Sequence, residues 1–410
     1  MGAVQMHRKL VPVIALVLIA STGLAGCFDD RAGAAESGDA PAKTHRISLG
    51  LTQLMHHPAP GVMLSVWAFH ELGDLNPKFP MEPIRVTEGD IVEVEFTNTF
   101  DFNHTIHWHG MHVPWRMDGI PYLSQMPIQP GESFTYRFEA KPAGTHFFHC
   151  HVDTPHHVDM GMYGVIIVEP KGGEKYPYDS EELLVLDDWD SSHLHQTGTG
   201  GTSQDDVDMT KDSTLDPSGD PFNQVDRTEK QVRDSYNNPQ YPYVKDVYQN
   251  PAKAKRDWYP ETYAPWQPEY DIFTINGYSF PMTEPIVIKE NETKRLRMVN
   301  VGNTIFSMHV HGHAFRVTHK DGYPLDSPFW ADTLLIGPGE RYSVMLEGNN
   351  PGMWMLHDHI GLHGMNQHIY PGGAMTHMVY ERFLEEDPHE GHGHGTAKRL
   401  TAGDFLGLYR

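Results

Sequence analysis

Alternation of apolar and polar side chains runs through the body of this chain. Ile91-Val92-Glu93-Val94-Glu95-Phe96 sets apolar residues against acidic ones, and Ser133-Phe134-Thr135-Tyr136-Arg137-Phe138 sets aromatic residues against polar ones. A period of two gives each face of an extended segment one kind of side chain, so both stretches predict strands with one buried face. Pro-Gly and Asn-Gly pairs punctuate the pattern, as turns between strands do. No comparably long amphipathic helix is visible. The predicted class is all-β, arranged as Greek-key β-sandwiches.

The pattern is written twice. Glu82-Pro83-Ile84 returns as Glu284-Pro285-Ile286, and His107 with His109 returns as His309 with His311, both 202 positions on. Pro130-Gly131-Glu132 returns as Pro338-Gly339-Glu340, and His149 with His151 as His357 with His359, both 208 positions on. A shared offset over several motifs predicts two duplicated domains, the second with a small insertion. They are placed at 46–172 and 173–384. A polar stretch at about 190–265, rich in Asp, Pro, Asn, Gln and Tyr, interrupts the second as an ordered insertion or a lid.

Both ends depart from this pattern. Residues 1–27 read as an export signal: Arg8 and Lys9 precede an apolar run from Leu10 to Leu18 that is too short to span a bilayer. Leu24-Ala25-Gly26-Cys27 resembles a bacterial lipobox, which implies cleavage before Cys27 and a lipid anchor on its sulfur. The expected localisation is therefore the cell envelope, as a periplasmic or membrane-anchored lipoprotein. Residues 28–45, rich in Ala, Gly, Asp and Ser, predict a flexible tether. The tail, 385–410, carries His389, His392 and His394 in a Gly-His run suited to loose metal binding.

The 410 residues suffice for sizeable cores, and the net charge of -23 argues against nucleic acid as a partner. The 28 histidines call for chemistry beyond surface polarity. A single His-x-His pair is weak evidence for a metal site. Four pairs kept across an internal repeat are strong, because imidazoles gathered in one place hold transition-metal ions. Cys150, flanked by His149 and His151, narrows the metal to copper: a thiolate with two imidazoles and a distant thioether makes a blue-copper centre. His104, His157 or His156, and Met162 are the candidate companions.

These motifs resemble those of the multicopper oxidase family over roughly 60–170 and 270–382. That likeness implies two cupredoxin-like sandwiches and four coppers per subunit. The implied type 1 ligands are His104, Cys150, His157 and Met162. The implied type 2 ligands are His107 and His309. The implied type 3 ligands are His109, His149, His151, His311, His357 and His359. Asp118 matches an acidic residue that orients water and relays protons. The step from Cys150 to His157 is longer than usual for the family. His156 is therefore a rival, although His157-Val158-Asp159-Met160-Gly161-Met162 keeps the usual distance to the methionine.

In the second copy Asp358 replaces the cysteine and Phe306 replaces His104, so that half cannot build a blue site. The likeness is thus to two-domain enzymes with type 1 copper in the first domain. These close their trinuclear clusters between subunits, so a homotrimer is expected. The implied activity takes single electrons from a small reductant, phenolic, aromatic or a metal ion, and reduces O2 to water. Met160, Met162, Met365, Met375 and Met378 would suit Cu(I), or serve simply as core filling. The alternatives are a copper nitrite reductase and a non-enzymatic copper or electron carrier.

Overall fold

The computed structural model describes residues 42–191 and 268–384. The export signal, Cys27, most of the tether, the bulk of the 190–265 insertion and the histidine tail lie outside the described residues.

The first half contains β1 (Thr44–His56), β2 (Leu64–Glu71), β3 (Ile84–Thr87), β4 (Ile91–Thr97), β5 (His107–His109), β6 (Ser133–Glu139), β7 (Gly144–His149) and β8 (Tyr163–Glu169). They form two four-stranded sheets, ordered β2-β1-β4-β6 and β3-β8-β7-β5. The alternation in β4 does what the sequence predicts: Val92, Val94 and Phe96 are buried, and Glu93 and Glu95 are not. One short helix, α1 (Thr154–Asp159), interrupts the return from β7 to β8. β1 starts at Thr44, so strand structure begins two residues before the first predicted domain.

The second half contains β9 (Ser180–Trp189), β10 (Ile272–Ile275), β11 (Ile286–Ile288), β12 (Thr293–Asn300), β13 (Phe306–Val310), β14 (Phe315–Lys320), β15 (Tyr323–Ala331), β16 (Thr333–Ile336), β17 (Arg341–Glu347), β18 (Met353–Asp358) and β19 (Met375–Tyr380). Its sheets are ordered β10-β9-β12-β17-β14-β15 and β11-β19-β18-β13-β16. The duplication survives in the pairing. β1 runs parallel to β4 as β9 does to β12, and β3 runs parallel to β8 as β11 does to β19.

Each sandwich closes over its own apolar core, one around Val94, Trp108 and Phe148, the other around Leu296, Phe306 and Val344. A third cluster, including Leu64, Phe147, Tyr163, Val185, Trp189 and Val299, takes residues from both halves and joins them. Side chains of this kind contribute roughly 1.5–3 kcal/mol each when fully buried. Gly144 at the start of β7 meets the backbone of Gly322 so closely that a Cβ would clash. This junction matters because β7 runs straight into His149-Cys150-His151.

Candidate metal centres

Cys150 follows the last residue of β7 and is fully buried. Its N–H donates to the Met162 carbonyl at 3.1 Å. That bond closes a loop over α1 whose last residue is Met162, itself fully buried. His157 on α1 brings Nδ1 to 3.2 Å from Cys150 Sγ. His104 brings its Nδ1 to 3.4 Å from the same sulfur. It lies ahead of β5 rather than on it, held in an isolated bridge to Ile128. Phe102 packs on both imidazoles, with centroids 4.8 and 5.5 Å away, and Trp67 covers His157 at 5.7 Å.

Burial alone pushes the His104 imidazole down to about 3. It also pushes the Cys150 thiol up to about 12. Two neutral imidazoles and a thiol that ionises only with metal assistance, in an apolar shell, are a donor set that fits copper. The rival His156 turns toward Asp153, 3.4 Å away.

A second set of donors lies on the next sheet face. β5 pairs with β7 so that His107 faces His149 and His109 faces Phe147. Ligand atoms of His107, His109 and His149 fall within 4.8 Å of one another. The His151 ring lies 5.5 Å from that of His107 and 5.9 Å from that of His149. His107 Nδ1 meets the Asp118 carbonyl at 2.8 Å and its carboxylate at 3.3 Å. His149 Nδ1 meets the Cys150 carbonyl at 2.8 Å. Bonds of this kind set which ring nitrogen is left for a ligand.

The His109 ring stacks on Phe147 at 4.2 Å. Burial, with Arg341 adding to it, lowers its imidazole to about 3. Burial likewise lowers His149 to about 3. The hydrogen bond from His107 holds the Asp118 carboxyl below its usual range, against the opposing effect of burial.

The second half repeats this construction. His309 Nδ1 meets the Asp332 carbonyl at 2.8 Å and Thr333 Oγ1 at 3.0 Å. His357 Nδ1 meets the Asp358 carbonyl at 2.7 Å, as His149 meets that of Cys150. His311 and His357 bring their Nε2 atoms to 3.0 Å, and the His309 and His359 rings lie 5.5 Å apart. His311 and His359 are exposed. Among the described residues, each histidine set makes its ring contacts within its own half.

Where the first half has Cys150, the second has a closed pair. The Asp358 carboxylate accepts the N–H groups of Ser307 and Ile360 at 3.0 and 2.9 Å and lies 2.7 Å from His363 Nδ1. His363 stacks on Phe273 at 3.8 Å, and Phe306 is fully buried beside it. Sequence reasoning named Asp358 and Phe306 but missed His363 and Asp332. The spacing from Asp358 to His363, near that from Cys150 to His157, was the signal for the first. Asp332 offers a main-chain carbonyl, which leaves no residue-type signal.

Two paired donor sets, one adjoining a buried Cys–His–His centre, mark out a family of copper proteins. Multicopper oxidase family profiles match residues 69–173 and again 237–371. The blue copper oxidase of Nitrosomonas europaea is 34% identical, with a TM-score of 0.63 over 84% of this chain and 89% of its own. The chain belongs to the multicopper oxidase family. Copper resistance protein A of Pseudomonas syringae pv. tomato is 30% identical over 275 residues, 67% of this chain. The chain spans only 42% of that relative's length. A copper nitrite reductase of Nitrosomonas europaea, 22% identical with a TM-score of 0.54, shares the fold.

Proposed function

We propose that this multicopper oxidase takes single electrons from a small reductant at a type 1 centre and delivers four of them to O2. His104, Cys150, His157 and Met162 would hold the type 1 ion. His107 and His309 would hold type 2 copper, and His109, His149, His151, His311, His357 and His359 the type 3 pair, four coppers per subunit. When bound, copper supplies the one-electron redox chemistry and the site at which O2 is reduced.

The observation that carries this reading is the double role of one short segment. The Cys150 sulfur faces His104 and His157. The histidines on either side of it join His107 in the other set. His149 and His151 each adjoin Cys150 directly, so the sulfur would link a type 1 ion to the imidazoles of the other set by a short covalent path. The main-chain carbonyls of Asp118, Cys150, Asp332 and Asp358 hold the ring nitrogens in place. Asp118, against His107, can hold and release a proton toward the cluster.

We further infer that the halves complete one another between subunits of a homotrimer. The second-half imidazoles are partly or fully exposed on one chain. β16 beside them is an edge strand with Leu335 57% exposed. A head-to-tail contact repeated by rotation closes into a ring. The lipobox resemblance supports an exported protein anchored through Cys27, and the net charge of -23 argues against a nucleic-acid partner.

The test is oxygen uptake by copper-loaded protein given a phenol, Cu(I) or Fe(II), with the intense blue thiolate absorption present and Cys150→Ser removing it. Nitrite turnover without oxygen uptake would replace this reading with a nitrite reductase. One copper per chain and no turnover would make it a carrier.

A further inference from the structure

The turn from Pro338 to Arg341 is the second copy of Pro130-Gly131-Glu132-Ser133, 208 positions on. In the first half that turn stays within its own sandwich. Ser133 Oγ pairs with Thr97 Oγ1 at 2.8 Å, and a Cβ on Gly131 would meet nothing within 4 Å. In the second half the turn reaches across to β5 and β7. A Cβ on Gly339 would lie 3.0 Å from His109 Cε1, and a Cβ on Gly110 would overlap Arg341 Nη2. The Arg341 guanidinium lies 5.9 Å from the centroid of Phe147, the ring on which His109 stacks. Gly339 and Phe147 thus close on the His109 imidazole, and a guanidinium packs against the glycine that follows it.

Arg341 is buried, yet its donors go to main-chain oxygens. Nε donates to the Thr145 carbonyl at 3.3 Å, Nη1 to that of Gly339 at 2.8 Å and Nη2 to that of Asp321 at 3.2 Å. Carbonyls satisfy the N–H groups without cancelling the charge. The Asp321 carboxylate lies 3.5 Å from Nη1, but that side chain is 37% exposed and solvent screens it. Glu340, the next acid on the turn, is taken up by Lys320. His146, buried against the same glycine, is held below the usual imidazole range by burial first and Arg341 second, and adds no anion. The turn therefore fixes a largely uncompensated positive charge beside one donor of the histidine set.

We propose that Arg341 is a positioning residue that makes this donor set favour anionic ligands, an inference that rests on the reading of His109 as a copper ligand. Reduction of O2 puts negative charge at the cluster, and a cation fixed in place beforehand favours that charge without reorganisation. After burial, the same charge opposes protonation of His109 and so keeps the neutral imidazole that a metal needs. Ser133, at the equivalent place in the first copy, carries no charge.

The experiment titrates azide, a singly charged anion, into copper-loaded wild type, Arg341→Met, Arg341→Lys and Asp321→Asn, following the azide-to-copper absorption, the blue absorption and copper per chain. Arg341→Met should weaken azide binding about tenfold or more, and Arg341→Lys should bring it back to within about threefold of wild type. Asp321→Asn removes the nearby carboxylate and keeps the carbonyl acceptor, so azide should bind about twofold tighter or more. Blue absorption and copper per chain should not change. Azide affinity that is unaltered in Arg341→Met, or that Arg341→Lys fails to restore, overturns the proposal. Should Arg341→Met fail to fold or to take up copper, Asp321→Asn decides, and azide binding that is unchanged or weaker there overturns it. A wild type that loads copper and binds azide, with the variants unaffected, sinks the role of Arg341 and leaves the oxidase standing. A wild type with one copper per chain and no azide absorption sinks both.

Discussion

Glu181 offers the sharpest test of how the two halves are held together. It lies on β9 and its Oε2 accepts from Arg295 Nε and Nη2 at 2.9 and 2.6 Å and from Arg297 Nε at 2.8 Å. Its other oxygen meets Arg85 of the first half at 2.7 Å. Arg297 reaches on to Thr145 Oγ1 of β7 at 2.7 Å. Burial would raise the Glu181 carboxyl, but the Arg297 and Arg295 guanidiniums outweigh it and bring the group from 4.5 down to about 2.

At about 1.36 kcal/mol per pH unit that difference is worth roughly 3 kcal/mol, and partial solvent screening reduces it to about 2. Glu181→Gln also leaves two buried guanidiniums short of an anion, a loss on the order of 3–5 kcal/mol. Glu174, 2.5 Å from Arg295 Nη1, and Glu169, 3.4 Å from Arg297 Nη2, offset part of it. We expect a net loss of about 2–4 kcal/mol and a Tm lower by about 3–7 °C at pH 7.

The sign of the pH dependence follows from the lowered carboxyl. The stabilisation is complete above the unfolded value of 4.5 and disappears as pH falls through about 2. The difference between wild type and variant should therefore shrink to less than about half by pH 3. Thermal unfolding of copper-free protein at pH 7, 5 and 3 measures it without interference from metal release. Equal stability at pH 7, or a difference that does not change with pH, would refute the reasoning.

Three further outcomes are expected. In the copper-free folded protein, Cys150 should resist alkylation at pH 8 and react within minutes after denaturant is added, because burial holds the thiol at about 12; rapid labelling of the native state would contradict this. Asp118→Asn should lower turnover by about 10²-fold while leaving the blue absorption intact, as rapid-mixing reduction and oxygen uptake would show. Leu335→Arg, on the exposed edge of β16, should shift sedimentation from trimer to monomer and abolish oxygen uptake, yet keep the blue absorption, whose candidate ligands all lie in one chain.

The β class and the paired histidines were legible because strands and duplication both leave periodic marks. His107 and His109 lie two apart on one strand, so a period of two places them on one face. The choice between His156 and His157 was only half legible, since adjacent residues on a helical turn diverge by rotation rather than by alternation. The Arg295, Arg297 and Glu181 network was invisible. Its members come together through the pairing of β9 with β12 and through the packing of one half on the other, and long-range register leaves no local pattern. The Asp358–His363 pair sits between these cases: the substitution showed in the repeat, but the bond that makes it a closed unit did not.

The carbonyls that fix the ring nitrogens have a consequence for how this fold can drift. An acceptor supplied by a peptide group persists whatever side chain the position carries. Replacing Asp332 or Asp358 would change the neighbourhood of His309 or His357 without removing the oxygen that orients each imidazole. Ancestral variation could therefore convert a cysteine-bearing half into a cysteine-free one while His309 and His357 kept the peptide acceptors that orient them.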